Sequence, residues 1–84
     1  MENKQFKKWL KERNAAVATL DVKQFKKFYN KWLLKGVYTH TLPNDERFIE
    51  ISMYKCAVHI TTLPNEIRNK ACEWLIAHGY NLEI

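Results

Sequence analysis

Glycine and proline are scarce in this chain, with two of each among 84 residues. That scarcity excludes an all-β architecture built on many tight turns and favours long helices. Two cysteines, Cys56 and Cys72, are too few for a disulfide framework. No apolar run approaches the roughly 18–20 residues that a bilayer span requires. Met1 leads directly into a charged amphipathic stretch, so no secretory leader is expected and a cytoplasmic location is. There is no glycine-rich phosphate loop, nucleophile elbow or H-E-x-x-H pair, and the acids are scattered, so no enzymatic activity and no cofactor are expected.

What the chain does have is aromatic residues and lysine. Three Trp, four Phe and four Tyr supply an aromatic core for one domain spanning residues 1–84. Residues 1–42 hold ten Lys or Arg against three acids, whereas residues 43–84 hold four against six, so the net charge of +5 sits in the first half. Such asymmetry points to an acidic partner for that half: protein, nucleic acid or membrane surface. The plainer alternative is a solvated lysine face that only keeps the protein in solution.

The stretch Asp21–Gly36 organises the rest. Phe25, Phe28, Tyr29, Trp32 and Leu33 recur at the spacing of one buried helix face. Asp21 with Gln24 reads as a capping box, and Gly36 stands where a left-handed helix stop is usual. Two short echoes then set a period of about twenty residues. Lys4-Gln5-Phe6-Lys7-Lys8-Trp9 returns as Lys23-Gln24-Phe25-Lys26-Lys27-Phe28, and Thr41-Leu42-Pro43-Asn44 as Thr62-Leu63-Pro64-Asn65. The expected fold is therefore all-α, a bundle of four helices at about 2–18, 21–35, 43–60 and 64–78, the last two opening on Leu-Pro-Asn. In the first helix Phe6, Trp9, Leu10 and Val17 face the core, and Arg13 falls inside that arc. Arg13 either lays its stem on the core and snorkels, or pairs with an anion.

Residues 45–60 carry the least decided pattern. As a helix they place Ile49, Met53, Cys56 and Ile60 on one face, with further apolar residues elsewhere, and such a helix should be the most buried. As strands they alternate, and with Val37–Leu42 they offer an α+β alternative with a small hairpin from 37–60. No turn residue separates Met53 from Cys56, which favours the helix. The fourth helix should bury Ile67, Ala71, Trp74, Leu75 and His78 and stop at Gly79.

Candidate binding residues lie on the basic faces of the first two helices: Lys4, Lys7, Lys8 and Lys11, then Lys23, Lys26 and Lys27. If those helices are antiparallel neighbours, the seven ammonium groups merge into one surface for an acidic partner. Contacts to phosphates would give salt-steep, sequence-independent binding. No set of Arg, Asn or Gln suited to reading bases accompanies them, and no aromatic platform for RNA stands out. A helix-turn-helix reader is weak as well, because the fourth helix mixes Arg68 and Lys70 with Glu66 and Glu73. Cys56, His59, Cys72 and His78 have the ligand types of a zinc site, but the spacing C-x2-H-x12-C-x5-H matches no standard finger, and no metal is expected. Leu34 lies among the lysines of the second helix, which suits a protein-docking surface better than a phosphate track.

The order of three clusters resembles small all-helical proteins from Firmicutes phages and integrated mobile elements. The residues are Phe25-Lys26-Lys27-Phe28-Tyr29 with Trp32, then Leu42-Pro43-Asn44-Asp45 with Ile51 and Met53, then Lys70-Ala71 with Trp74-Leu75 and His78-Gly79. The resemblance implies an all-α fold and a mobile-element origin, and it carries over no activity. The resulting expectation is a non-enzymatic protein-interaction or accessory factor, with non-specific nucleic-acid binding through the lysine face as the alternative.

Overall fold

In a computed structural model, which describes residues 3–83, the chain forms four helices: α1 (Asn3–Ala18), α2 (Val22–Leu34), α3 (Glu46–His59) and α4 (Asn65–Ala77). Among the described residues there is no strand, so the hairpin alternative is not adopted. The expected start of the first helix at Glu2 lies outside the described residues.

Helix α2 begins and ends for local reasons. The Asp21 carboxylate accepts the Lys23 backbone N–H at 2.9 Å, which makes Asp21 the N-cap. The expected capping box with Gln24 does not form, because the Asp21 N–H donates to Thr19 Oγ1 at 3.2 Å instead. At the other end Gly36 adopts φ +82°, and the N–H groups of Gly36 and Val37 return to the carbonyls of Leu33 and Trp32. That pair of bonds closes the helix without a side chain. Helix α4 repeats the device: Gly79, at φ +80°, and Tyr80 bond back to Ile76 and Leu75. Helix α1 stops differently. Leu20 takes φ +51°, a conformation costly to an L-residue with a Cβ, while its side chain packs against the core.

The two Leu-Pro-Asn echoes do not open two equivalent helices. Pro64 is the N-cap residue of α4, with no side-chain cap, and its carbonyl accepts from Ile67 and Arg68. Helix α3 starts later than the expected 43, because the Asp45 carboxylate accepts the N–H groups of Arg47 and Phe48 at 3.0 and 3.3 Å. A carboxylate aimed at two N–H groups makes a stronger start than a proline can. Pro43 is left in the connection, which runs from Lys35 to Asp45 without regular structure. Tyr38 anchors it. Its ring stacks on Tyr29 at 4.1 Å, its hydroxyl accepts the Trp9 indole N–H at 3.1 Å, and Tyr29 donates to the His40 carbonyl at 2.6 Å.

Helix α3 is the centre of the bundle and packs against each of the other three helices, a position the aromatic pattern had assigned to α2. Its Ile49, Met53 and Ala57 are buried together with Val17, Phe25, Ile60, Leu63 and Ala71. Cys56 reaches only half-burial, and Phe48 is exposed. On α4, Ala71 and Leu75 are buried and Ile67 and Trp74 half-buried, whereas His78 is exposed instead of facing inward. Tyr54 of α3 stacks on Trp74 of α4 at 4.1 Å, and Trp74 stacks in turn on His78 and, at longer range, Tyr80. The tail then returns across α3. Lys55 donates to the Asn81 side chain, His59 donates to the Leu82 carbonyl at 2.6 Å, and Leu82 is half-buried. Ile84, its expected companion in that tail, lies outside the described residues.

Two predictions follow from this packing. An added Cβ at Gly36 or Gly79 meets nothing within 4 Å, so Gly36→Ala and Gly79→Ala should each cost about 1 kcal/mol through the positive φ alone. Urea unfolding of the two variants checks that figure. Met53→Ala, at a fully buried position of α3, should cost about 2–5 kcal/mol in the same assay.

Candidate binding surface on the first two helices

The connection Thr19-Leu20-Asp21 folds α2 back along α1, and the side chains between them give the register. Glu12 meets Lys31, while Thr19 and Gln24 line the same groove near the corner, so the two helices run antiparallel. Between them lies an open groove of about 380 Å³, whose walls include Glu12, Ala15 and Ala16 from α1 and Gln24, Lys27 and Phe28 from α2.

A chain of polar contacts fixes this pair. Trp32 is fully buried, and its indole N–H donates to a Glu12 carboxylate oxygen at 3.2 Å. The same oxygen accepts from Lys31 Nζ at 2.7 Å. The hydrogen bond from Lys31 is the largest influence on Glu12 and lowers its carboxyl below the ordinary 4.5. Partial burial opposes it, while the Trp32 hydrogen bond and the charges of Lys31 and Lys8 reinforce it. Lys31 and Lys35 also approach the Trp32 ring, at 5.8 and 5.2 Å from its centroid.

The seven candidate lysines do not form one uniform sheet of charge. Lys4, Lys7, Lys8 and Lys11 on α1 and Lys23 and Lys27 on α2 are exposed and make no ion pair among the described residues. Lys26 is set apart. It turns toward α3, is half-buried, and bridges to Glu46 at 3.2 Å. Lys27 joins the α1–α2 groove, whereas Lys26 lines a separate hollow with Asn30 and Pro43. The split follows from α2 having neighbours on both flanks. Sequence spacing shows that Lys26 and Lys27 share the outer half of a helix, but not that α3 presents Glu46 beside one of them. Lys31 and Lys35 were outside the candidate set and complete the basic rim. Leu34, in the midst of these lysines along the chain, is 89% exposed.

The remaining candidates are placed as follows. Arg13 is half-buried, with its guanidinium 5.1 Å from the Trp9 ring centroid; Nε and Nη2 donate to Asn14 Oδ1 at 3.2 and 3.0 Å. It makes no ion pair among the described residues. Cys56 sits in a cleft near Arg13, and burial raises its thiol pKa above the ordinary value. Tyr38 is raised for the same reason. His59 is turned to the tail and His78 to Trp74, and among the described residues no three His, Cys, Asp or Glu side chains gather as metal ligands. Arg68, the cation a helix-turn-helix reading would need, is half-buried and donates to the Val58 carbonyl at 3.3 Å. No helix among the described residues is long and apolar enough to cross a membrane.

Because the Glu12 carboxyl is lowered in the folded chain, its contribution to stability is present above the ordinary 4.5 and is lost as pH falls through the lowered value. Glu12→Gln should therefore have a lower urea midpoint than the parent at neutral pH. As pH falls through that lowered value the gap should narrow, since the parent's carboxyl then takes up its proton. Compared with models of protein families, with curated proteins and with solved structures, the chain matches none.

Proposed function

We propose that this protein is a non-enzymatic accessory factor that docks an acidic protein partner through the lysine-bearing side of α1 and α2. The observation that carries the reading is Leu34, 89% exposed at the end of α2, with Lys27, Lys31 and Lys35 nearby in the chain. An apolar anchor with a polar rim is how protein interfaces combine affinity with steering. A phosphate track has no use for such an anchor. The lysines of α1 add long-range attraction for an acidic surface, which raises association rates more than final affinity. A mobile-element origin is supported by the resemblance of the three residue clusters alone. A cytoplasmic setting is supported by cysteine usage, since Cys56 and Cys72 are too few for a disulfide framework.

The second reading, non-specific nucleic-acid binding, is favoured by one observation: six exposed lysines on α1 and α2 without ion pairs among the described residues. Two measurements separate the readings. A photo-crosslinking residue at position 34, introduced in cells, should give a discrete protein adduct that disappears when Lys7, Lys8 and Lys27 are changed to Glu. Labelled DNA and RNA should bind the purified protein weakly at low salt. Micromolar or tighter nucleic-acid binding that collapses with salt and with the triple charge reversal, and ignores Leu34→Ser, would transfer the function to the second reading.

A further inference from the structure

A second surface feature is independent of the lysine side. Where α1 passes the α3–α4 corner, a cleft of about 340 Å³ is lined by Leu10 and Arg13 of α1, Cys56, His59 and Ile60, and the two threonines Thr61 and Thr62. The volume lies at the small end of ligand pockets, which run from roughly 300 to 1,000 Å³.

The polar groups of this cleft are arranged as donors. Asn14 Oδ1 accepts from Arg13 Nε and Nη2, which fixes the plane of the guanidinium, and the Trp9 ring lies at 5.1 Å. Asn14 Nδ2 in turn donates to Thr62 Oγ1 at 3.3 Å. A hydroxyl that accepts in this way keeps its own proton to donate elsewhere. Arg13 Nη1 and the Thr61 hydroxyl make no hydrogen bond among the described residues. His59 Nε2 is already engaged by the Leu82 carbonyl. Among the described residues no carboxylate lines the cleft, and burial pushes the Cys56 thiol up, so none of these residues sets a counter-charge beside the half-buried cation. Leu10, Ile60 and Cys56 supply apolar wall beside these donors.

We propose that this cleft binds a small organic carboxylate with a short hydrocarbon body, its head on Arg13 and the Thr61–Thr62 hydroxyls and its body against Leu10 and Ile60. A planar carboxylate matches the geometry of a guanidinium edge, and the apolar wall selects it over a bare inorganic anion.

Nitrogen-15 NMR of the full chain tests this with three probes: hexanoate, its neutral analogue hexanamide, and inorganic phosphate. Hexanoate should shift Arg13 Nε and the amides of Thr61 and Thr62 saturably in the millimolar range. Hexanamide should bind roughly tenfold or more weakly, the worth of one charge-assisted hydrogen bond, and phosphate should also be weaker than hexanoate. Arg13→Gln should reduce hexanoate to the level of hexanamide, whereas the Lys7, Lys8 and Lys27 to Glu variant should leave the cleft's response intact. Equal binding of hexanoate and hexanamide, shifts spread over the lysines, or no saturation overturns the proposal. Phosphate binding as tightly as hexanoate overturns the carboxylate assignment. If Arg13→Gln fails to fold, the contrast between hexanoate and hexanamide on the parent chain still decides.

Discussion

A fully buried indole has one N–H, and Trp32 directs it to Glu12. The position of α1 along α2 depends on that contact. Burying the ring removes about 150–250 Å² from water, but leaving its donor unmatched would cost about 1–3 kcal/mol. Glu12 meets that need, and Lys31 holds the carboxylate charged. An exposed Lys–Glu pair contributes little by itself. Here it acts by keeping an acceptor in place under a large side chain, and so the register of the two helices follows from a hydrogen bond as much as from apolar contact.

The same contact sorts the cations of the first half. Lys31 is drawn to Glu12 and Lys26 to Glu46, while Arg13 rests on Trp9 and Asn14. Charges that look equivalent in composition thus fall into distinct groups. Some hold helices together, one stands in a cleft, and the exposed lysines of α1 with Lys23 and Lys27 face solvent. Only the last group is suited to long-range attraction, because an ammonium already paired contributes a reduced field.

Much of the architecture was legible where the signal is local. The caps at Asp21 and Gly36, the stop at Gly79 and the buried stripe of α2 each depend on residues within one or two turns. Non-local facts were hidden. The Leu-Pro-Asn echoes suggested equivalent helix starts, yet Asp45 displaced Pro43 because its carboxylate reaches two backbone N–H groups. Phe6 and Phe25 occupy matching places in the other echo, but Phe6 is 45% exposed and Phe25 is buried. An inner place for α3 was legible in its apolar residues on several sides, but which side meets which neighbour was not. Six of the seven candidate lysines face outward, as their helical spacing implied, and Lys26 does not. That division depends on Glu46, twenty residues away, and no periodicity reports it.

Of the four helices, α1 is tied to the core most lightly: Val17 is its one fully buried residue, close to a corner strained at Leu20. Its other anchors, Glu12, Arg13 and Trp9, act through hydrogen bonds and ring contacts near the surface. A segment with so few buried contacts opens as a unit before the rest unfolds, and its amides exchange with solvent at less than the global free energy. Four candidate lysines travel with it. A partner that grips them holds α1 closed by mass action, so binding would register as slowed hydrogen exchange along the whole helix.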